Sequence, residues 1–214
     1  SKLSKRQGHA SVDWYRQEGY LPAALHNFCA LLGWTPPSEV LTLAELSACF
    51  SLSALHKAPA IVALDKLSWL NRQHLQRTAE IGEQVELLQR LTNCNDALYL
   101  EQVIRLMAER VHLVKDIPTL APYFFSDPTP MATEAKVTED FANIMADSPF
   151  DREAIQKALN KTKELNPQLK SSAVIMALRL AITGVKVGAS LTDTMLLLGK
   201  ERVLRRLLRI NKSI

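Results

Sequence analysis

Two lysines, Lys2 and Lys5, flank Ser4 in the run Lys2-Leu3-Ser4-Lys5-Arg6-Gln7-Gly8 that opens the 214-residue chain. Ammonium groups on a loop can follow phosphate oxygens into a transition state where negative charge builds up. Ser4 adds a hydroxyl, and Gly8 lets the backbone approach a ligand closely. The bland alternative is a solvated basic terminus, the commoner origin of such a string taken alone.

A second set lies near the other end of the chain. Arg202, Arg205, Arg206 and Arg209 recur at helical spacing, which predicts one arginine side, with Val203, Leu204, Leu207, Leu208 and Ile210 on the other. Guanidinium forks suit phosphate oxygens and stacked bases, and the acidic partners near in sequence are limited to Glu201. A helix whose charged side is merely solvated fits equally. Membrane-surface binding fits less well, because a bundle needs the apolar stripe for its own core.

The elements that must position these groups read as helices. Pro22 opens and Gly33 closes one, and Thr42 with Glu45 forms a capping box before the next. Asp65 is expected to cap the helix carrying Leu67, Leu70 and Leu75. Apolar residues recur at helical spacing through Ile81–Leu91 and Leu100–Val111. Phe150 and Ile155 bracket an Asp151 cap, Ser172–Thr183 stops at Gly184, and Glu201–Ile210 is the last helix. Period-two alternation is missing, so the expected fold class is all-α. Residues 116–131, with Pro118, Pro122, Pro128 and Pro130, cannot continue a helix, and Tyr123-Phe124-Phe125 within them should dock on neighbouring helices.

Composition is that of a globular chain, with 47 % apolar and 22 % charged residues. No apolar stretch approaches the roughly 18 residues needed to cross a bilayer, so no membrane partner is expected. The net charge of +4 is unevenly spread. Residues 1–77 carry eight Lys/Arg against five Asp/Glu, residues 78–165 nine against fifteen, and residues 166–214 nine against two. Basic ends around an acidic waist suit a nucleic-acid binder better than random surface composition. Cys29, Cys49 and Cys94 fit a reducing compartment and small buried roles rather than a disulfide framework. His9, His26, His56, His74 and His112 never pair at ligand spacing, which predicts no metal site. Trp14, Trp34 and Trp69 sit among apolar positions and are expected in the core.

The opening run resembles the KMSKS signature of class I aminoacyl-tRNA synthetases in its glutamyl form, with Leu3 for Met and Arg6 for the last Ser. Ser11-Val12, Tyr15, Gly19-Tyr20-Leu21-Pro22, Leu31-Leu32-Gly33-Trp34, Lys57-Ala58-Pro59-Ala60 and Asp65–Asn71 are similar to the glutamyl-tRNA synthetase segment behind that loop. Arg110–Asp127, Leu178–Gly184 and Leu197–Val203 resemble the family's later helical regions. Ala189 departs from the family's usual Pro, at a cost in loop rigidity.

That resemblance implies an all-α C-terminal part of a glutamate–tRNA ligase in three modules. These are a loop-bearing, stem-contacting module (1–75) and two anticodon-binding subdomains (76–165 and 166–214). It implies catalytic roles for Lys2, Ser4 and Lys5, with Lys2 and Lys5 on ATP, and tRNA contacts from Arg6, Arg179, Arg202, Arg205, Arg206 and Arg209. ATP and Mg²⁺ would be substrates of the whole enzyme, and glutamate tRNA the partner. A HIGH-bearing nucleotide-binding half is expected to precede the loop in such a ligase, so the isolated chain is expected to be non-catalytic. The alternative is a non-catalytic RNA-binding or scaffold subunit of a larger ribonucleoprotein assembly. The loop's form and the basic ends lean toward the mitochondrial matrix over a bacterial cytoplasm.

Overall fold

The computed structural model describes residues 11–56, 63–78, 80–129, 131 and 133–210. The opening run, with Lys2, Ser4, Lys5 and Arg6, lies outside them. Among the described residues there are twelve α-helices and no strand, so the all-α expectation holds. The chain divides into two compact units, Ser1–Ile117 and Pro118–Ile214.

In the first unit, α1 (Val12–Glu18) starts at Ser11, whose Oγ accepts from Trp14 N–H at 3.1 Å, and stops at Gly19 with φ 90°. α2 (Pro22–Gly33) begins with proline, whose missing N–H would be unpaired there anyway. The capping box on α3 (Leu43–Cys49) forms as expected: Thr42 Oγ1 accepts from Glu45 N–H at 3.3 Å, and Glu45 Oε2 accepts from Thr42 N–H at 2.7 Å. A 3-10 turn follows at Leu52–Ala54.

α4 (Leu64–Arg77) packs on α2 through fully buried Leu67 and Leu70. Its N-cap is Ala63, with no side-chain cap, and Asp65 falls in the first turn instead. The expected Asp65 cap is therefore replaced by a carboxylate near the positive end of the helix dipole. Two buried amides fasten this pair of helices to the loops. Asn71 Oδ1 accepts from Leu21 N–H and its Nδ2 donates to the His112 carbonyl, both at 2.7 Å. Asn27 Oδ1 accepts from Leu41 N–H at 3.0 Å and meets His74 Nε2 at 3.0 Å. Because the backbone donor fixes that oxygen as the acceptor, His74 carries its proton on Nε2. Next come α5 (Gly82–Thr92), α6 (Ala97–Met107, capped by Asp96) and a 3-10 turn at Val114–Asp116.

α7 (Ile117–Leu120) and a 3-10 turn at Pro122–Phe124 occupy the Pro-rich stretch, so a stretch expected not to continue a helix holds only short helical turns. In the second unit α8 (Ala135–Ala146) contacts α9 (Arg152–Leu165), α10 (Ser171–Thr183) and α12 (Lys200–Ile210). α11 (Leu191–Leu198) packs on α9 and α12. Asp151 caps α9 as expected, its Oδ1 accepting from Ala154 N–H at 2.8 Å. Phe141, Met145, Ile155, Leu178, Ile182, Val203 and Leu207 are fully buried between these helices. Packing thus joins residues 135–165 to 166–210 within the second unit.

The cysteines depart from expectation, since Cys29 is exposed and Cys49 and Cys94 are half-buried. Trp34 is buried, whereas Trp14 and Trp69 are half-buried. Lys66 stands over the Trp69 ring, 4.1 Å from its centre, and pairs with Glu39 at 2.7 Å.

Candidate nucleic-acid interface

Three arginines of α12 are organised by one acid, Asp127. Pro122 and Pro128 shape a tight path that buries Tyr123 and Phe124, each 1 % exposed, as the sequence predicted for these aromatics. Turning the chain this sharply leaves backbone carbonyls without helical partners, and α12 supplies the donors. Arg206 Nη2 donates to the carbonyls of Tyr123 at 2.7 Å and Ser126 at 3.1 Å, and its Nη1 to Ile182, in the last turn of α10, at 2.8 Å. Its Nε donates to Asp127 Oδ1 at 3.0 Å. Arg202 Nη1 donates to the Phe124 carbonyl at 3.2 Å.

Arg205 Nη2 reaches both Asp127 oxygens at 3.1 Å, and Arg209 Nη1 reaches Oδ2 at 3.0 Å. Three guanidinium groups therefore share one carboxylate. Partial burial pushes the Asp127 carboxyl up, but hydrogen bonds and charge from Arg206 and Arg205 outweigh it and hold the group below its ordinary range. Gly184 ends α10 at φ 70°, and a Cβ there would come 2.8 Å from the Pro128 Cβ, so only glycine lets this turn lie against residue 128.

These contacts correct the picture of α12 as an arginine side opposite an apolar side. Arg206 is 2 % exposed beside Val203 and Leu207 on the inner face, while Leu208 is 47 % exposed. Orphaned carbonyls and an acid contributed from far away in sequence draw that guanidinium inward. Arg205 and Arg209 are about half exposed, and Arg202 is half-buried. Sequence reasoning missed Asp127 because it lies 78 positions before Arg205. An acid between Pro122 and Pro128 in a mostly apolar run, facing a strongly basic tail, was the available signal. Arg179 is half-buried, and its Nη1 donates to the Ala189 carbonyl at 2.9 Å. Lys200 donates to the carbonyls of Ala146 and Ser148 at 2.7 and 2.9 Å, closing the end of α8. An excess of guanidinium over carboxylate, with two forks half exposed, can take phosphate oxygens without dismantling the fold.

The second unit is all-helical among its described residues and carries this basic face on α12. Residues 68–211 match the anticodon binding domain family, to which the chain belongs. Residues 1–69 match the catalytic domain of class I tRNA synthetases specific for E and Q. The chain resembles the C-terminal region of bacterial glutamate–tRNA ligases. It is 35 % identical to glutamate–tRNA ligase 1 of Fervidobacterium nodosum, over 99 % of this chain and 47 % of the relative. It is 38 % identical to the Chlorobium phaeobacteroides ligase, over 98 % and 47 %. The crystal structure of the Elizabethkingia anophelis glutamate–tRNA synthetase superposes with a TM-score of 0.81 at 29 % identity, covering 99 % of this chain and 48 % of that one. The chain thus spans about half the length of the curated relatives it matches.

Proposed function

We propose that this chain is the tRNA-binding C-terminal part of a glutamate–tRNA ligase, gripping glutamate tRNA for an ATP- and Mg²⁺-dependent transfer. The observation that carries this reading is the family match over residues 68–211, which takes in the Asp127-centred basic face. In the whole enzyme Lys2 and Lys5 would neutralise the phosphates of ATP, with Ser4 hydrogen-bonding nearby, and Arg6 would lie toward the tRNA. On the second unit, Arg205 and Arg209 would hold phosphate oxygens, with Arg202 and Arg179 at the margin. Arg206 would act from inside, by fixing the carboxylate that aligns its neighbours. The module assignments for 1–75, 76–165 and 166–214 belong to the same proposal, as functional regions rather than packing units.

The test is binding of glutamate tRNA to the 214-residue chain in competition with an unrelated tRNA. Preferential retention of glutamate tRNA supports the reading, and equal displacement by any tRNA refutes the specificity. Absence of glutamate-dependent pyrophosphate exchange by the same chain is expected, since no nucleotide pocket is assigned to it. The proposed compartment, the mitochondrial matrix with a bacterial cytoplasm as the alternative, rests on the loop's form and the basic ends. Imaging the tagged full-length protein in its own cells decides it.

A further inference from the structure

Within the second unit, the Asp127 carboxylate occupies donor edges that a bound phosphate needs. Arg205 Nη2 donates to both Asp127 oxygens at 3.1 Å, and Arg209 Nη1 donates to Oδ2 at 3.0 Å. Carboxylate and phosphate oxygens ask the same of a guanidinium fork, so a phosphate arriving at these two arginines competes with Asp127. The three partners of the carboxylate are not equally free to change. Arg206 is buried and tied to the carbonyls of Tyr123, Ser126 and Ile182, and its Nε keeps hold of Oδ1 at 3.0 Å. Arg205 and Arg209 are about half exposed, and exposed ion pairs exchange partners at small cost. The fold therefore clamps the acid and leaves two of its arginines exchangeable.

Three guanidinium groups meet one carboxylate, so the face stays positive and Asp127 lowers its charge by one. Without that acid, a tail with nine Lys/Arg against two Asp/Glu in residues 166–214 attracts any nucleic acid through its phosphates. A phosphate that takes a fork from Asp127 trades one charge-assisted contact for another, and the trade alone gains little. It becomes favourable only for a ligand whose remaining contacts already hold its phosphate at the forks. A built-in competitor thus penalises unselected partners more than the right one, which is how a repulsive element creates specificity.

We propose that Asp127 is a specificity-determining residue of this face, which withholds the forks of Arg205 and Arg209 from arbitrary polyanions and yields them to an RNA that seats a phosphate there. The identity of that RNA as tRNA rests on the reading above, whereas the suppression of arbitrary polyanions does not.

The experiment measures binding of the 214-residue chain to an unstructured oligothymidylate and to glutamate tRNA by fluorescence anisotropy at one fixed salt concentration. Asp127→Asn keeps an oxygen acceptor for Arg206 and removes the charge. It should tighten oligothymidylate binding about threefold to tenfold, and tRNA binding by less. Adding Arg205→Gln and Arg209→Gln to Asp127→Asn should abolish that gain, because the freed forks carry it. Glu201→Gln removes the same charge from an exposed position one turn before Arg205 and should give a smaller gain. Circular dichroism checks each fold, and Asp127→Ser, a smaller neutral acceptor, replaces Asp127→Asn if that variant does not fold. The proposal is overturned if neutralising Asp127 leaves oligothymidylate binding unchanged or weaker, or if Glu201→Gln matches its gain. It is equally overturned if tRNA is bound and tightens as much as oligothymidylate does. A parent that prefers glutamate tRNA, with no gain from Asp127→Asn, sinks this proposal alone. A gain on oligothymidylate from a parent that shows no preference for glutamate tRNA sinks the tRNA reading and leaves the competition standing. No binding of either ligand by any form sinks both.

Discussion

Arg205, Arg206 and Arg209 touch the same carboxylate, yet burial gives them different work. Arg206 satisfies three backbone carbonyls and part of Asp127 from inside the fold. Truncating it to Ala should lower stability by about 2–4 kcal/mol, because buried acceptors lose their donor. Arg205→Gln with Arg209→Gln should stay within about 1 kcal/mol of the parent, as exposed ion pairs contribute little. Urea denaturation of the three proteins checks both statements. Equal losses in the two cases would mean that burial does not set the cost.

His74 makes a pH-dependent prediction. Burial, and then the charge of Arg77, hold its pKa below the ordinary histidine value, with Glu45 opposing. The unfolded chain therefore takes up this proton before the folded chain does. The His74 contribution is complete above about pH 6.5 and is lost as pH falls from there through the folded pKa. His74→Gln keeps a donor for Asn27 Oδ1 and removes the titration. Denaturation midpoints at pH 7 and pH 5 should then differ less in the variant than in the parent, and an unchanged difference would clear His74 of responsibility. Asp127 has the same sign lower on the scale: its contribution is present above the ordinary carboxylate range and fades as pH falls through its depressed pKa.

Helix ends show how local chemistry shapes the elements. Asp151→Ala removes the acceptor for Ala154 N–H and should cost about 1 kcal/mol by thermal denaturation. Gly184→Ala should cost more, because a left-handed residue gains a Cβ only 2.8 Å from Pro128. A loss below that of Asp151→Ala would mean the turn at 184 relaxes freely. These ends were legible beforehand, since cap and stop residues lie within four positions of the groups they serve. The exception is α4, where Asp65 looked like a cap and the helix instead starts at Ala63. The box at Thr42 and Glu45 was plain because both partners are polar and three apart.

For the whole molecule, charge distribution is the property that bears on function. Basic residues gather in 166–214, and the fold leaves Arg205 and Arg209 half exposed there. Affinity for tRNA should fall linearly with salt on logarithmic axes, by roughly 0.7 to 0.9 per phosphate contact. Arg205→Gln with Arg209→Gln should flatten that slope by about one to two contacts' worth while helix content stays constant. A wild-type slope in the double variant would make these arginines a solvated face. Including Arg206 in the variant would confuse the result, because its loss also loosens the fold.

What the sequence by itself determined was the all-α class, the capped ends of α3 and α9, the stop of α10 and kinship with a tRNA synthetase family. Each of these depends on periodicity, on residues a few positions apart, or on the order of motifs along the chain. Only the tertiary structure decided which arginine of α12 turns inward and that Asp127 gathers three of them. Those outcomes depend on groups tens of residues apart meeting where water is excluded. There an unpaired carbonyl or amide is costly, and the chain's long-range geometry selects its partner.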